Sequence, residues 1–163
     1  MKNGRKVFIE TLTHLAENDS RVLLIVGDVG FSFLEAFKAR FPKQFLNCGV
    51  MEQSMMGIAV GLAQQGFRPY VYTMKNFIIL RPYEQLRNDI CYGNANVKLL
   101  GVGGSEAYKF LGMSHNLFGD EEERLLKGLP NLNTYFNKHE DTEILEKCLM
   151  DEYKRHGPAY FAI

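Results

Sequence analysis

One carboxylate stands out for its surroundings. In Phe45–Ala63 (FLNCGVMEQSMMGIAVGLA) the acidic residue is Glu52, placed where an apolar strand gives way to an apolar helix. Gly49 permits a tight turn just ahead of it. From Met55 to Ala63 the residues are apolar on nearly every side, which predicts a helix buried all round, against its own sheet and against another subunit. A carboxyl group at the mouth of such a helix is poorly solvated, and burial disfavours its charged form. A Glu held in this way can share or donate a proton to a ligand nitrogen. Taken alone, the same residue also reads as a surface Glu complementing a helix dipole.

The patterning around Glu52 shows what must position it. Val7–Glu17 carries Phe8, Leu12 and Leu15 at helical spacing. Arg21–Gly27 and Val97–Val102 are short continuous apolar runs, suited to buried parallel strands. Arg68–Thr73 is rich in β-branched and aromatic residues and reads as a third strand. Phe45–Cys48, Leu132–Phe136 and Ala159–Ile163 read as shorter strands. Helices are expected over Phe33–Phe41, stopped by Pro42, over Arg81–Tyr92 with Leu86 and Ile90 four apart, and over Thr142–Arg155. Gly119–Gly128 holds a short acidic helix, its Asp120–Glu123 run read as a solvated start. The alternation predicts one α/β domain over residues 1–163, a three-layer sandwich with a mostly parallel six-stranded sheet and helices on both faces. Ligands of such sheets bind at the carboxyl ends of the strands. Asp28, Gly49–Glu52, Thr73–Phe77 and Gly103–His115 all follow strands directly and should gather along that edge.

Composition narrows the function classes. Nineteen acidic residues balance nineteen basic ones, so no global field attracts nucleic acid or an anionic membrane. Cys48, Cys91 and Cys148 form no CxxC pair and leave one cysteine over in any disulfide scheme, which reads as a reduced protein. The first residues lack the apolar run of a signal peptide, and no stretch reaches the roughly 20 apolar residues of a membrane span. A soluble cytoplasmic protein is expected.

Phe45–Ala63 resembles the core motif of the pyrimidine-binding domain of the transketolase family of thiamine diphosphate enzymes. The pattern N-x-G-[IV]-x-E-Q-x-M-x-G-x-A-x-G-L-A is met by Asn47, Gly49, Val50, Glu52, Gln53, Met55, Gly57, Ala59, Gly61, Leu62 and Ala63. The resemblance extends along nearly the whole chain. It implies that the Glu52 carboxyl group hydrogen-bonds a ring nitrogen of the cofactor aminopyrimidine and sets up the proton transfer that activates the cofactor. Thr73–Phe77 is similar to the family's T-F-x-x-F segment, which forms the aminopyrimidine pocket; Phe77 matches and Met74 replaces an aromatic. Arg81–Asp89 resembles R-A-x-E-Q-[IL]-R-x-D, a packing and dimer helix that puts Arg81 near the cofactor. Gly112–His115 resembles G-P-T-H, whose His faces substrate. His14, His139 and His156 have no motif around them and read as helix-surface residues. Asp28 resembles the family's Asp beside the cofactor, and Arg5 and Ser32 are spaced like an Arg and a Ser that hold a sugar phosphate. The resemblance thus assigns catalysis to Glu52 and His115. It assigns cofactor binding to Glu52, Asp28, Val50, Met74, Phe77 and Arg81, and substrate binding to His115, Ser32 and Arg5.

The departures from the family pattern shape the rest of the expectation. The G-D-G…N motif that holds the diphosphate through a divalent metal is absent; Gly27-Asp28-Val29-Gly30 is only a distant look-alike. The resemblance therefore implies a split enzyme, with Mg2+ held by a separate diphosphate-binding subunit. A second family histidine is replaced in the Gly103–Gly104 region, an acidic residue by Leu111, and [RS]-P-x-D by Asn137–Glu140; a further phosphate-binding Arg and the C-terminal domain of the family have no counterpart in residues 1–163. These changes thin the sugar-phosphate clamp while leaving the cofactor residues intact. The expected protein is a pyrimidine-binding subunit that self-associates through the Glu52 helix, assembles as a heterotetramer, and transfers a two-carbon ketol unit between sugar phosphates. The alternatives are a 2-oxo acid decarboxylase, a deoxyxylulose-phosphate-type synthase, or a non-catalytic binding subunit.

Overall fold

The three long apolar runs pair with one another. In the computed structural model, which describes residues 4–103, 108–136 and 141–163, Val22–Val26 (β1), Arg68–Met74 (β3) and Lys98–Val102 (β4) lie parallel and side by side. Phe45–Asn47 (β2) adds outside β1, while Ala159–Ala162 (β6) and then Asn133–Tyr135 (β5) add beyond β4. The sheet has six strands in the order β2-β1-β3-β4-β6-β5, and every pairing is parallel. Val26 lies level with Asn47 and Tyr72, and Met74 with Val102, so the carboxyl ends share one edge.

Strand alternation divides the core in two. Leu24, Val26, Tyr70, Tyr72, Leu100 and Phe161 face the helices Gly4–Asn18 (α1), Glu35–Arg40 (α2) and Thr142–Lys154 (α7). Ile25, Val71, Leu99 and Tyr160 face Glu52–Gln64 (α3), a helical segment over 83–92 and Glu121–Leu126 (α6). Both faces of the sheet are covered, as the near-continuous apolar strands require. Val7, Phe8, Leu12 and Leu15 form the buried stripe of α1, which packs on the sheet and beside α7.

Three local features depart from the sequence reading. The helix expected over Arg81–Tyr92 is one turn, Tyr83–Gln85 (α5), that widens into a π-helix over Leu86–Tyr92. A Cβ at Gly93 would collide with the Asp89 carbonyl, so glycine lets the wide turn close. Asn131 Nδ2 supports the same turn, donating to the Cys91 carbonyl at 2.9 Å. A five-residue helix, Lys75–Ile79 (α4), and a 3₁₀ segment, Lys109–Ser114, are too short to announce themselves by periodicity.

α3 is not buried all round within this chain. Glu52, Met55, Met56 and Ala59 are buried, whereas Ser54, Gly57, Ile58 and Gly61 form an exposed row on the opposite face. Among the described residues no helix is long and apolar enough to cross a membrane. The Asn137–Glu140 departure and residues 104–107 of the Gly103–His115 loop lie outside the described residues.

The amino ends of the strands are closed by buried charge. Lys98 Nζ reaches the Arg155 carbonyl at 3.2 Å and Glu152 at 3.4 Å. Glu152 also accepts from Asn133 Nδ2 at 2.7 Å, Tyr135 Oη at 2.8 Å and Arg155 Nε at 2.8 Å. Burial pushes Lys98 down to about 8, against the opposing pull of Glu152. Burial alone would raise the Glu152 carboxyl, but the hydrogen bonds from Asn133 and Tyr135 and the Lys98 charge hold it below its ordinary value. Next to this cluster, Asp19 accepts from the Arg21 amide and side chain at 2.9 Å and from Tyr153 Oη at 3.0 Å. The Arg21 bonds hold the Asp19 carboxyl well below the carboxylate range.

Candidate active site

The turn that delivers Glu52 is fastened by one amide side chain. Asn47 Oδ1, at the end of β2, accepts from the Gly49 amide at 2.9 Å and the Asp28 amide at 3.1 Å, while its Nδ2 donates to Asp28 Oδ1 at 3.1 Å. The loops after β1 and β2 are thereby tied together at the sheet edge. Gly49 has φ +74° and Asp28 φ +53°, the left-handed region that glycine and short polar residues tolerate. Asp28 is thus positioned beside the Glu52 turn through Asn47. In the sequence Asn47 is visible only as part of a pattern; its clamping role needs the register of β1 against β2, which spacing does not show.

Glu52 opens α3 and is only 3% exposed. Its Oε1 accepts from Arg81 Nη1 at 2.8 Å. The Arg81 side chain remains 40% exposed and sets its guanidinium 3.5 Å from the centroid of the Phe77 ring, a cation–π contact. The His115 imidazole meets the Phe77 ring edge-on, with centroids 5.0 Å apart. Glu52, Arg81, Phe77 and His115 therefore form one contiguous set drawn from the start of α3, the turn before α5, α4 and the residue that follows the 3₁₀ segment. Val50, 68% exposed, shares with Met51, Glu52, Gln53, Ser54 and Arg81 the wall of an open cleft of about 390 Å³. Met74 is buried at the end of β3, in the same core layer as Phe77 and beside Gly103.

The His115 segment is held from two sides. Gly112 adopts φ +65°, ψ −156°, a conformation open to glycine. Asn116 Nδ2 donates to the Tyr108 and Gly112 carbonyls at 2.8 Å, and Asn76 Nδ2 donates to the Ser114 carbonyl. Three buried oxygens near these strand ends, Thr73 Oγ1, Asn76 Oδ1 and Asn116 Oδ1, have no hydrogen-bond partner among the described residues. Neither Asn76 nor Asn116 carries any signal in the sequence beyond lying next to a candidate residue.

Arg5 and Ser32 are not brought into the Glu52 set. Arg5 Nε donates to Tyr72 Oη at 3.0 Å, and its guanidinium lies 4.4 Å from the centroid of Phe33, next to Ser32. Ser32 is exposed at φ +59°, its amide donating to Glu35 Oε1 at 2.6 Å. The acidic run of α6 also differs from expectation. Glu122 turns inward, pairs with Lys75 Nζ at 3.0 Å and accepts from Tyr160 Oη. Burial, and then the Glu122 charge, push the Tyr160 hydroxyl far above its ordinary value. The triad joins α6, α4 and β6 directly beneath the site.

The donor set has a definite chemical preference. A flat cationic group already lies on Phe77 and hydrogen-bonds the Glu52 carboxylate, at the wall of an open cleft. A flat nitrogen-bearing ring such as an aminopyrimidine has the same two requirements, a stacking face and a carboxyl partner, so these residues fit that part of thiamine diphosphate. Among the described residues no group of three or more His, Cys, Asp or Glu side chains is placed to hold a metal ion.

The comparisons with known proteins agree with this geometry. The family described as "Transketolase, pyrimidine binding domain" matches residues 1–161. The chain is 37% identical over 130 residues to one subunit of the apulose-4-phosphate transketolase of Phocaeicola vulgatus, covering 79% of this chain and 41% of that protein. It is 33% identical over 158 residues to 1-deoxy-D-xylulose-5-phosphate synthase 2 of Geobacter sulfurreducens, covering 94% of this chain and 24% of that protein. A solved structure described as a split gene transketolase, inactive beta4 tetramer, superposes with a TM-score of 0.83 at 27% identity, over 98% of this chain and 50% of that one. The chain thus spans no more than about two fifths of the length of these two curated relatives. With this family model matched over residues 1–161, a parallel sheet shared with the split-gene structure and a relative 37% identical over 79% of the chain, the chain belongs to the transketolase pyrimidine-binding domain family.

Proposed function

We propose that this chain is the pyrimidine-binding subunit of a split, thiamine diphosphate-dependent transketolase-like enzyme that transfers a two-carbon ketol unit between sugar phosphates. The observation that carries the proposal is the burial of Glu52 at the cleft wall, in one contiguous set with Arg81, Phe77 and His115. Thiamine diphosphate would supply a nucleophilic carbon and an electron sink, chemistry that side chains lack. Glu52 holds a proton between its carboxyl group and a ring nitrogen, acting as the acid–base partner of the cofactor. Phe77 supplies the stacking face, while Val50, Met74, Arg81 and Asp28 complete the cofactor side of the pocket. His115 accepts or returns a proton at a substrate hydroxyl, and Arg5, whose guanidinium packs on Phe33 next to Ser32, is offered with Ser32 to a sugar phosphate.

The partner subunit holds the diphosphate and Mg2+. The surface supports such a partner: Phe31, Val50, Met51, Phe110, Leu111, Met113 and Phe118 are large apolar residues exposed on the loops of the carboxyl edge. Self-association uses the exposed Ser54-Gly57-Ile58-Gly61 row of α3, where small residues let another helix approach closely. The apulose-4-phosphate transketolase relative, itself one subunit of its enzyme, and the split-gene structure support a two-chain organisation. The synthase relative supports a second reading, in which the assembled enzyme condenses a 2-oxo acid instead.

The test is turnover by this chain co-purified with a diphosphate-binding partner, thiamine diphosphate and magnesium. Xylulose 5-phosphate with ribose 5-phosphate is offered in one assay and pyruvate in another. Ketol transfer that requires both chains is the expected result. Pyruvate consumption moves the assignment to the synthase reading, and silence on both substrates with the partner bound removes the proposal.

A further inference from the structure

His115 has two ring nitrogens, and its role depends on which of them carries the proton. The Ser114 hydroxyl touches two acceptors. Its Oγ lies 3.1 Å from the Leu111 carbonyl, to which it donates, and 2.8 Å from His115 Nδ1. A hydroxyl has one proton and spare lone pairs. A carbonyl oxygen can only accept, whereas Nδ1 can do either, so both contacts are made at once only when the hydroxyl donates to Leu111. The contact to Nδ1 is then satisfied only if Nδ1 carries hydrogen and the serine oxygen accepts it. In the neutral ring this leaves Nε2 without a proton and available as an acceptor.

The surrounding backbone is built to keep this geometry. The Ser114 carbonyl is held by Asn76, which is buried on α4. Asn116, also buried, spans the turn by bonding the Tyr108 and Gly112 carbonyls. The His115 amide donates to the Gly112 carbonyl at 3.3 Å, and its ring is braced edge-on by Phe77. The imidazole is therefore held in orientation.

We propose that Ser114 is a positioning residue that locks neutral His115 as the Nδ1–H tautomer, presenting a bare Nε2 that takes the proton of a substrate hydroxyl. The direction of the first transfer follows: the bond from hydrogen to substrate oxygen breaks, a bond from hydrogen to Nε2 forms, and the ring becomes a cation with both nitrogens protonated. Nδ1–H of that cation still donates to Ser114, so the serine serves both forms. This inference rests on the reading of His115 as substrate-facing, and its test separates the two.

The first measurement is nitrogen NMR of the full chain, labelled at histidine and held at mildly alkaline pH where imidazole is neutral. The His115 signals are identified by their loss in His115→Asn. A protonated Nδ1 with a bare Nε2 is expected in the native chain and in Ser114→Thr, which keeps the hydroxyl. Ser114→Ala should move His115 to a mixture or to the opposite tautomer. In the assembled enzyme Ser114→Ala should lower kcat by roughly tenfold, the scale of one positioning hydrogen bond, with KM nearly unchanged and Ser114→Thr restoring it. An Nε2–H tautomer in the native chain overturns the inference whatever the activity, and so does a tautomer indifferent to Ser114→Ala. Normal turnover by His115→Asn would instead remove the substrate-facing reading and leave the tautomer result standing.

Discussion

The two ends of the sheet are built on opposite plans. At the amino end, Lys98, Glu152, Arg155, Asn133 and Tyr135 satisfy one another, and the buried Asp19 is held by the exposed Arg21 together with Arg68 and Tyr153. At the carboxyl end, Glu52 meets Arg81 at the wall of an open cleft, and phenylalanines and methionines face outward. A buried charge left unpaired is costly, so the closed end fixes strand order and register. The open end leaves a cleft beside Glu52 and exposed apolar side chains, the features on which the proposed ligand and partner chain rest. In the proposed reading, the buried charge at the amino end serves architecture and the buried Glu52 at the carboxyl end serves chemistry.

This contrast can be broken from either side. The largest stability effect is expected at the closed end. Glu152→Ala strands Lys98 and Arg155 and should cost about 3–5 kcal/mol of unfolding free energy in denaturant titration, whereas Lys98→Met with Glu152→Leu should cost far less because both charges leave together. A smaller effect is expected in acid. Asp19 and Glu152 are both held below their ordinary carboxylate values in the folded chain. Their stabilisation is complete above the unfolded value near pH 4 and is lost as pH falls through their lower folded values. Asp19→Asn should flatten the decline of the melting temperature in that window and leave the profile above about pH 5 unchanged in shape. The smallest stability effect belongs to the outer face of α3. Ile58→Glu should change unfolding free energy by under about 0.5 kcal/mol yet shift the chain to a smaller species in analytical ultracentrifugation.

The open end is easier to read in the sequence than the closed one. Continuous apolar runs identify β1, β3 and β4, and the residues following them collect at one edge as parallel topology demands. Glu52 is legible because its apolar neighbours run unbroken along the chain. The Lys98–Glu152 pair is not, since its members lie 54 residues apart and each resembles an ordinary surface charge. Glu122 is hidden for a related reason: it stands in an acidic run, and only the fold turns it toward Lys75 and Tyr160. The all-round apolar character of α3 is plain in the sequence but splits between a face packed on this sheet and a face this chain leaves bare. The π-helix gives no sign of itself because Leu86 and Ile90 keep helical spacing while the backbone around them widens.

The most direct test of the central claim compares Glu52→Gln with native protein in the complex with a diphosphate-binding partner, following turnover and thermal unfolding together. Glutamine keeps the size of the side chain and an acceptor for Arg81 but cannot exchange a carboxyl proton. A fall in kcat of roughly 10²–10⁴-fold with the melting temperature little changed is the predicted result. Near-normal turnover by this variant would contradict the account, because the buried acid would then be part of the architecture after all.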